Sequence, residues 1–188
     1  VEGEGPARNV RITRPCYVSI TEVTQRHWNV VMNTSPWQHS TFVRQGGNYP
    51  ATHVSWHDAV EYCRILSALD GQHYRLPTEA EWEYSCSGRV ETAYSFGAEA
   101  VGLKTCAWYA ENANNIGENF AHSVGTKEAN PFGLCDMHGN VWEWCSDWHG
   151  KYDPSSLVDP QGPSSGFDRV YRGGGWDSTA ARCRSATR

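Results

Sequence analysis

The chain has 188 residues, of which 39% are hydrophobic and 12% aromatic, and its formal net charge is −5. This apolar content is enough to offset the entropy of ordering the chain, so it excludes a low-complexity disordered protein. The basic residues are scattered, which argues against a nucleic-acid partner. No apolar run approaches the roughly 18 residues of a membrane span. We therefore expect no membrane span and a single domain over residues 1–188.

Capping signals and apolar spacing predict three helices. Ser55 with Asp58 resembles a capping box, in which the side chains at the two positions bond each other's backbone N–H groups. Thr78 with Glu81 has the same arrangement. Each signal is followed by a segment that ends before a glycine. The predicted helices cover residues 24–32, 56–69 and 79–87.

From residue 90 onward the composition and the spacing of apolar residues change. Gly, Asn, Pro and Ser recur every few residues, and no stretch keeps a helical period for more than one turn. This pattern predicts loops and short strands, with residues 153–167 forming one long surface loop. The predicted strands cover residues 17–20, 141–145 and 169–172.

Four stretches of the chain carry a family resemblance. They are ITEVTQRHW (20–28), THVSWHDAVEYC with YRLPTEAEWEYSCSGR (52–63 and 74–89), NPFGLCDMHGNVWEWCSDW (130–148) and RVYRGGGWDSTAARCRSATR (169–188). With these stretches the chain resembles the formylglycine-generating enzyme or sulfatase-modifying factor family. The resemblance implies an α+β, C-type-lectin-like fold with a few helices, a small mixed sheet and many loops. It also implies a terminal strand after Arg188, which this sequence lacks.

The third stretch carries a candidate metal site. Asp136 and Glu143 flank a turn at Gly139, so carboxylate and carbonyl oxygens are available for one hard cation such as Ca²⁺. The resemblance implies a structural calcium held by Asp136, Gly139, Val141 and Glu143, with main-chain oxygens from the glycine and the valine. The alternative is that the two carboxylates only hydrogen-bond loop amides.

The last twenty residues bear on catalysis. The resembled enzyme is a copper-dependent oxidase with two active cysteines shortly after a Gly-Gly turn. Both cysteines are needed because two soft thiolates bind Cu(I). This chain has only Cys183 there, and it matches neither active position. The sequence therefore argues against copper and against an enzyme, with the oxidase kept as the alternative. We expect Cys183 to form a buried pair with Cys145, reduced or disulfide-bonded.

The same segment carries a second resemblance. WDSTAARCRSATR is similar to the C-terminal repeat of the variable proteins of diversity-generating retroelements, which use this version of the fold and diversify one surface. The resemblance implies a module that binds a protein or small-molecule ligand through a surface near residues 173–188. The alternative is that small residues simply suit a tight turn after the glycines. The predicted ligand-binding residues are Trp176, Asp177, Ser178, Thr179, Ala180, Ala181, Arg182 and Thr187.

The nine tryptophans predict a core built from large, rigid indole rings, whose N–H groups need hydrogen-bond acceptors. Those within the family stretches are assigned to the scaffold and predicted to be largely buried with the indole N–H bonded. Trp176 is the exception, because it opens the segment that replaces the thiolates. We expect it to plug the vacated pocket or to form its floor. The scaffold set is Trp56, Trp82, Trp142, Trp144 and Trp148.

Overall fold

The computed structural model describes residues 8–153, 155 and 157–188. Within these residues the fold is α+β, as predicted, with few helices, one two-stranded sheet and many loops. No helix among them is long and apolar enough to cross a membrane. Positions 154 and 156 of the predicted surface loop lie outside the described residues. The helical elements are α1 (Gln25–Met32), α2 (Trp56–Asp70), α3 (Glu79–Ser87), α4 (Leu103–Cys106) and 3-10 turns at Ala100–Gly102, Ala110–Asn112, Asn114–Ile116 and Ala180–Cys183.

The three predicted helices are confirmed, because their start signals are local. The Ser55 side chain accepts from the Asp58 backbone N–H, and the Asp58 carboxylate accepts from the Ser55 N–H at 3.2 Å. Thr78 and Glu81 bond in the same reciprocal way at the start of α3. Such caps satisfy backbone donors that a helix cannot bond internally. The stop at Gly88 has a steric reason as well, since it has φ +63° and lies against Pro131.

The sheet pairs β1 (Glu143–Trp148) antiparallel with β2 (Arg169–Arg172). The predicted strand 169–172 is confirmed, whereas β1 begins two residues later than predicted and extends three residues further. The predicted strand 17–20 is wrong. Tyr17 is fully exposed and Ile20 is 63% exposed, and no described segment pairs with theirs in a ladder. Apolar residues there satisfy the local pattern of a strand, but pairing depends on a distant partner that the pattern does not contain.

The core consists of three apolar clusters. One packs Trp82 and Cys86 of α3 against Cys145 of β1 and Val170 of β2. A second cluster packs Cys183 of the C-terminal segment with Tyr94, Leu103, Ala107 and Tyr109. The third joins α1 to α2, where Trp28 stacks on Tyr62 with ring centroids 5.3 Å apart. Side chains from both ends of the chain are thus needed to complete the interior.

The predicted pairing of Cys145 with Cys183 is wrong. Both thiols are fully buried, but they pack in different clusters, one against α3 and the other against Tyr109 and Leu103. All seven cysteines lie within the described residues and all are free thiols. Noncovalent contacts, and not a cross-link, therefore hold the last segment in place.

The tryptophan prediction is only partly confirmed. Trp82 is 2% exposed, but the other four scaffold indoles are half-buried. The N–H groups of Trp56, Trp82 and Trp144 donate to the Cys145 carbonyl, the Glu143 carboxylate and the Val54 carbonyl. The structure gives Trp142 and Trp148 no such partner among the described residues. Several rings instead stack on cations; the Arg169 guanidinium lies 3.7 Å from the ring centre of Trp56 and 3.5 Å from that of Trp148.

A buried arginine ties the C-terminus to α3. Arg172 is fully buried and pairs with Glu83, while its guanidinium lies 3.5 Å from Glu79. Its N–H groups also donate to the carbonyls of residues 185–187. Arg188 pairs with Glu79 at 2.7 Å. These bonds offset much of the cost of burying the cation, whose Nε alone has no partner among the described residues, and they fix one position of the last residues.

We expect Arg172→Met to lower the free energy of unfolding by about 3 kcal/mol, the lower end of the range for breaking a buried ion pair, since Arg188 still faces Glu79. Urea denaturation followed by circular dichroism measures the loss. Arg64→Met is the control, because it removes an exposed pair with Glu61 and should change stability little. Equal losses in the two variants would contradict this account.

Candidate functional site

A glycine turn directs the chain out of β2 and into the predicted binding segment. Gly173 and Gly174 have φ values of +101° and +85°, which residues with side chains rarely adopt. A Cβ at Gly174 would lie 2.8 Å from the Cys183 sulfur. Glycine is therefore required at this position both for its conformation and for the close packing.

The backbone after the turn is held by hydrogen bonds on both sides. The Trp176 N–H donates to the Asn140 carbonyl at 2.9 Å, and the Ala110 N–H donates to the Ser178 carbonyl at 2.9 Å. Ser178 also closes the turn, because its hydroxyl accepts from the Gly175 N–H at 3.0 Å. The segment is thus a fixed loop on the scaffold and not a free tail.

The side chains of this segment divide into two sets. Ser178 and Thr187 are 5% and 2% exposed; the Ser178 hydroxyl accepts from the Gly175 N–H, and the Thr187 hydroxyl donates to the Ala181 carbonyl. The predicted ligand-binding set therefore contains two residues whose side chains face inward. The remaining six form what we call the contact surface. It comprises the exposed Asp177, Thr179, Ala181 and Arg182 and the half-buried Trp176 and Ala180.

Trp176 lines a cavity of about 300 Å³ that opens to solvent. Its ring centroid lies 6.2 Å from that of Phe42, which is 63% exposed. Most of the other lining residues come from the segment 41–53, including Arg44, Tyr49 and His53. Trp176 therefore forms one wall of the cavity beside a loop that sequence reasoning did not select.

Two residues of this loop have a left-handed backbone. Phe42 and His53 have φ values of +59° and +58°, a conformation that costs an ordinary side chain about 1–3 kcal/mol. The surrounding structure has to impose it. A bulky aromatic residue held this way beside a cavity marks the loop as part of the site, and no sequence pattern in 41–53 indicates it.

His138 anchors the far end of the segment. It is 2% exposed; its Nε2 accepts from the Ser95 N–H at 3.1 Å, so Nδ1 donates to the Cys183 carbonyl at 2.9 Å. Burial lowers the pKa of His138 to about 4. The neutral ring thus joins the loop around residue 95 to the 3-10 turn that ends at Cys183.

Of the predicted metal residues, Asp136 and Gly139 are buried, and Val141 and Glu143 are partly buried. Asp136 is 1% exposed; its Oδ2 accepts from the Gly125 N–H at 2.6 Å, while its buried Oδ1 has no hydrogen-bond partner among the described residues. The Oε2 atom of Glu143 accepts from the Trp82 indole. A Cβ at Gly139 would lie 2.2 Å from the Trp108 carbonyl. Val141 donates its N–H to Glu22 at 3.0 Å.

Glu22 adds a third carboxylate that sequence reasoning missed. It is 8% exposed and accepts from the Asn140 side chain and from the Val141 N–H. Burial, and then the charges of Asp136 and Glu143, raise the pKa of Glu22 well above its usual value. Burial raises the pKa of Glu143 to about 7 and also raises that of Asp136. Only the position of Glu22 directly before the first helix region, within ITEVTQRHW, could have marked it.

Two features of these residues would favour a cation such as calcium. An unpartnered buried carboxylate oxygen and a set of mutually repelling carboxylates both favour a bound cation. Among the described residues no three His, Cys, Asp or Glu side chains form a group that could hold a metal. A calcium here would therefore depend on the main-chain oxygens of Gly139 and Val141 as well as on Asp136 and Glu143.

The C-terminal segment does not fit copper. Cys183 is the one thiol between residues 173 and 188, and it is fully buried. Burial raises the pKa of this thiol to about 12, so it stays protonated at neutral pH. Cu(I) is bound by thiolates, and a single protonated thiol inside the core supplies neither the charge nor the second sulfur.

A loop-rich α+β scaffold that presents a C-terminal segment after a glycine turn defines a C-type-lectin-like protein of the sulfatase-factor type. Residues 1–188 match the model of the sulfatase-modifying factor enzyme 1-like domain, and the chain belongs to this family.

Individual relatives agree with this assignment. The formylglycine-generating enzyme of Streptomyces coelicolor is 40% identical over 154 residues, which cover 75% of this chain and 47% of the relative. This chain thus spans about half the length of the curated relatives it matches. Among solved structures, Treponema denticola variable protein 1 superposes with a TM-score of 0.75 at 31% identity, covering 88% of this chain and 74% of that one. PvdO from Pseudomonas aeruginosa gives 0.66 at 29% identity, covering 77% and 56%.

We expect His138 to contribute a loss of stability as the pH is lowered from about 6.5 toward 4, since folding lowers its pKa from 6.5 to about 4. At His138 the unfolded chain binds a proton in this window and the folded one does not, so this group favours unfolding in acid. The raised pKa of Glu143, about 7, acts in the opposite direction, so the contribution of His138 is measured as the difference between two profiles. Urea midpoints of the wild type and of His138→Gln across the window give this difference. The variant should lose less stability toward pH 4 than the wild type, and equal slopes would contradict the assignment.

Proposed function

We propose that the chain is a ligand-binding module in which the contact surface and the cavity beside Trp176 recognise a protein or a small molecule. One observation carries the proposal. The backbone of residues 175–178 is fixed by hydrogen bonds, while the side chains of Asp177, Thr179, Ala181 and Arg182 point to solvent. A rigid loop with free side chains is the usual basis of recognition on a stable scaffold.

The proposal extends to the origin of the surface. The similarity to Treponema denticola variable protein 1 supports a variable protein of a diversity-generating retroelement. In such a protein, substitution at exposed positions changes the ligand and leaves the fold intact. A near-copy of the region coding for 173–188 beside a reverse-transcriptase gene would support this origin.

A copper-dependent sulfatase-modifying oxidase is the second candidate. It is favoured by the 40% identity to the formylglycine-generating enzyme of Streptomyces coelicolor. The buried, protonated thiol of Cys183 argues against it. The segment therefore does not supply a copper site.

The proposed role of calcium is structural. Asp136 and Glu143 would hold it with the carbonyls of Gly139 and Val141, and its charge would offset the repulsion among the buried carboxylates. The ion would also stabilise the turn at Asn140, whose carbonyl accepts from Trp176. Calcium would thereby stabilise the contact surface without touching the ligand.

The binding function is tested with a displayed library of random peptides selected against the immobilised chain. Thr179→Arg places a long side chain in the middle of the contact surface, and Thr179 is exposed with no side-chain cap bond, so the variant should fold normally. We expect the variant to weaken the binding of the selected peptides about tenfold or more, because its long side chain covers part of the contact surface.

Ser165→Arg is the matched control, since Ser165 is exposed and lies outside the contact surface. It should leave binding unchanged. Peptides that bind equally well to the wild type and to Thr179→Arg would contradict the proposed site. Copper-dependent oxidation of a cysteine peptide that survives Cys183→Ala would overturn the function in favour of the oxidase.

For calcium, we expect Ca²⁺ at a hundredfold excess over Kd to stabilise the chelator-treated protein by about 2.7 kcal/mol. Thermal unfolding with and without the ion measures the effect. Asp136→Ala should remove most of it, because the site loses a side-chain oxygen ligand, whereas Asp177→Ala on the exposed surface should not. An equal calcium response in Asp136→Ala would show that the ion binds elsewhere.

A further inference from the structure

The contact surface continues into a larger area that combines aromatic rings with unpaired cations. Phe42 contacts Trp176, and the glycine turn before Trp176 packs against Trp142, where a Cβ at Gly175 would lie 3.5 Å from the ring. Trp142 in turn meets Tyr171 edge to face at 4.9 Å. We call this area the arginine–aromatic face. It consists of Phe42, Trp142, Tyr171, Trp176, Arg44 and Arg182.

The two arginines of this face are held over rings and are not neutralised. The Arg44 guanidinium lies 4.1 Å from the centre of Phe120, and that of Arg182 lies 5.4 Å from the centre of Trp142. Both side chains are exposed, and neither has an ion pair among the described residues. Stacking positions a guanidinium and leaves its N–H donors available for a carboxylate.

The local charge is opposite in sign to that of the whole chain. The chain carries a net charge of −5, whereas the face presents two cations and one exposed carboxylate, Asp177. His53 lines the cavity as a further polar group. A positive face on an acidic protein favours an acidic partner at this point, and the remaining surface repels that partner elsewhere.

The size of the cavity favours a side chain over a free ligand. Its volume of about 300 Å³ lies at the lower limit of small-molecule pockets, which span roughly 300–1,000 Å³. The exposed rings around it, including Tyr171 at 41% and Phe42 at 63%, extend the apolar area beyond the cavity. Tryptophan, tyrosine and arginine are also the residues that dominate the energy of protein interfaces.

We propose that the arginine–aromatic face binds an acidic segment of a protein partner, with one apolar or aromatic side chain of that segment in the cavity beside Trp176 and its carboxylates on Arg44 and Arg182. This inference rests on the proposed binding function and specifies the partner. The carboxylate of Asp177 then repels the carboxylates of the partner, and this repulsion restricts where they can lie on the face.

The test selects random peptides that bind the wild-type chain and then removes those that also bind the Thr179→Arg variant. The peptides that require an unblocked surface should be rich in Asp and Glu around an aromatic or aliphatic residue. For one selected peptide, Arg44→Gln and Arg182→Gln should each raise Kd about two- to fivefold, and Asp177→Asn should lower it by a similar factor. Raising the salt concentration should weaken binding to the wild type more than to the double arginine variant.

Arg14→Gln is the control, because Arg14 is exposed and lies outside the face; it should leave Kd unchanged. All four substituted side chains are exposed, and far-UV circular dichroism checks their folding. Surface-dependent peptides that are neutral or basic would overturn this inference and leave the binding function standing. The absence of any surface-dependent peptide would overturn both. Self-association that requires Arg44 would identify a second copy as the occupant and also overturn it.

Discussion

The arrangement of the site depends on one buried asparagine. Asn140 has a left-handed backbone with φ +63° and no exposed surface. Its carbonyl accepts from Trp176, its side-chain oxygen accepts from His122, and its amide donates to Glu22. Its own N–H donates to the Trp108 carbonyl at 2.8 Å. Four separate parts of the chain are thereby fixed relative to the glycine turn, so the contact surface inherits its geometry from an interior hydrogen-bond network.

The extent to which sequence predicts this structure follows the range of the interactions. The helices at 56–70 and 79–87 could be located because Ser55 and Thr78 act on backbone groups three residues away. The strand at 143–148 was displaced and the one at 17–20 was wrong, because ladders depend on distant partners. The loop containing Phe42 was missed, since its left-handed conformation is imposed by tertiary packing. Glu22 was missed for the same reason, as its partners lie more than 100 residues away.

The C-terminal segment separates positions that build the scaffold from positions that face solvent. Ser178, Cys183 and Thr187 are directed inward and bond or pack against fixed groups. Asp177 and Thr179 flank Ser178 and face solvent, and the exposed Arg182 lies over the ring of Trp142. A substitution at an outward position changes surface chemistry at little structural cost, whereas one at an inward position leaves a buried group unsatisfied. Substitutions at the outward positions are therefore expected to leave the fold of the segment intact.

The unpaired cysteines determine how the protein responds to chemical reagents. Cys86, Cys145 and Cys183 are sealed in the core, where burial raises the pKa of each thiol and keeps it protonated. Cys16 is the one cysteine classed as exposed. No covalent cross-link has to be oxidised for the fold to form, so reducing agents leave it intact. An alkylating label would reach Cys16 first, which provides a handle for attaching a fluorophore or a surface without altering the core.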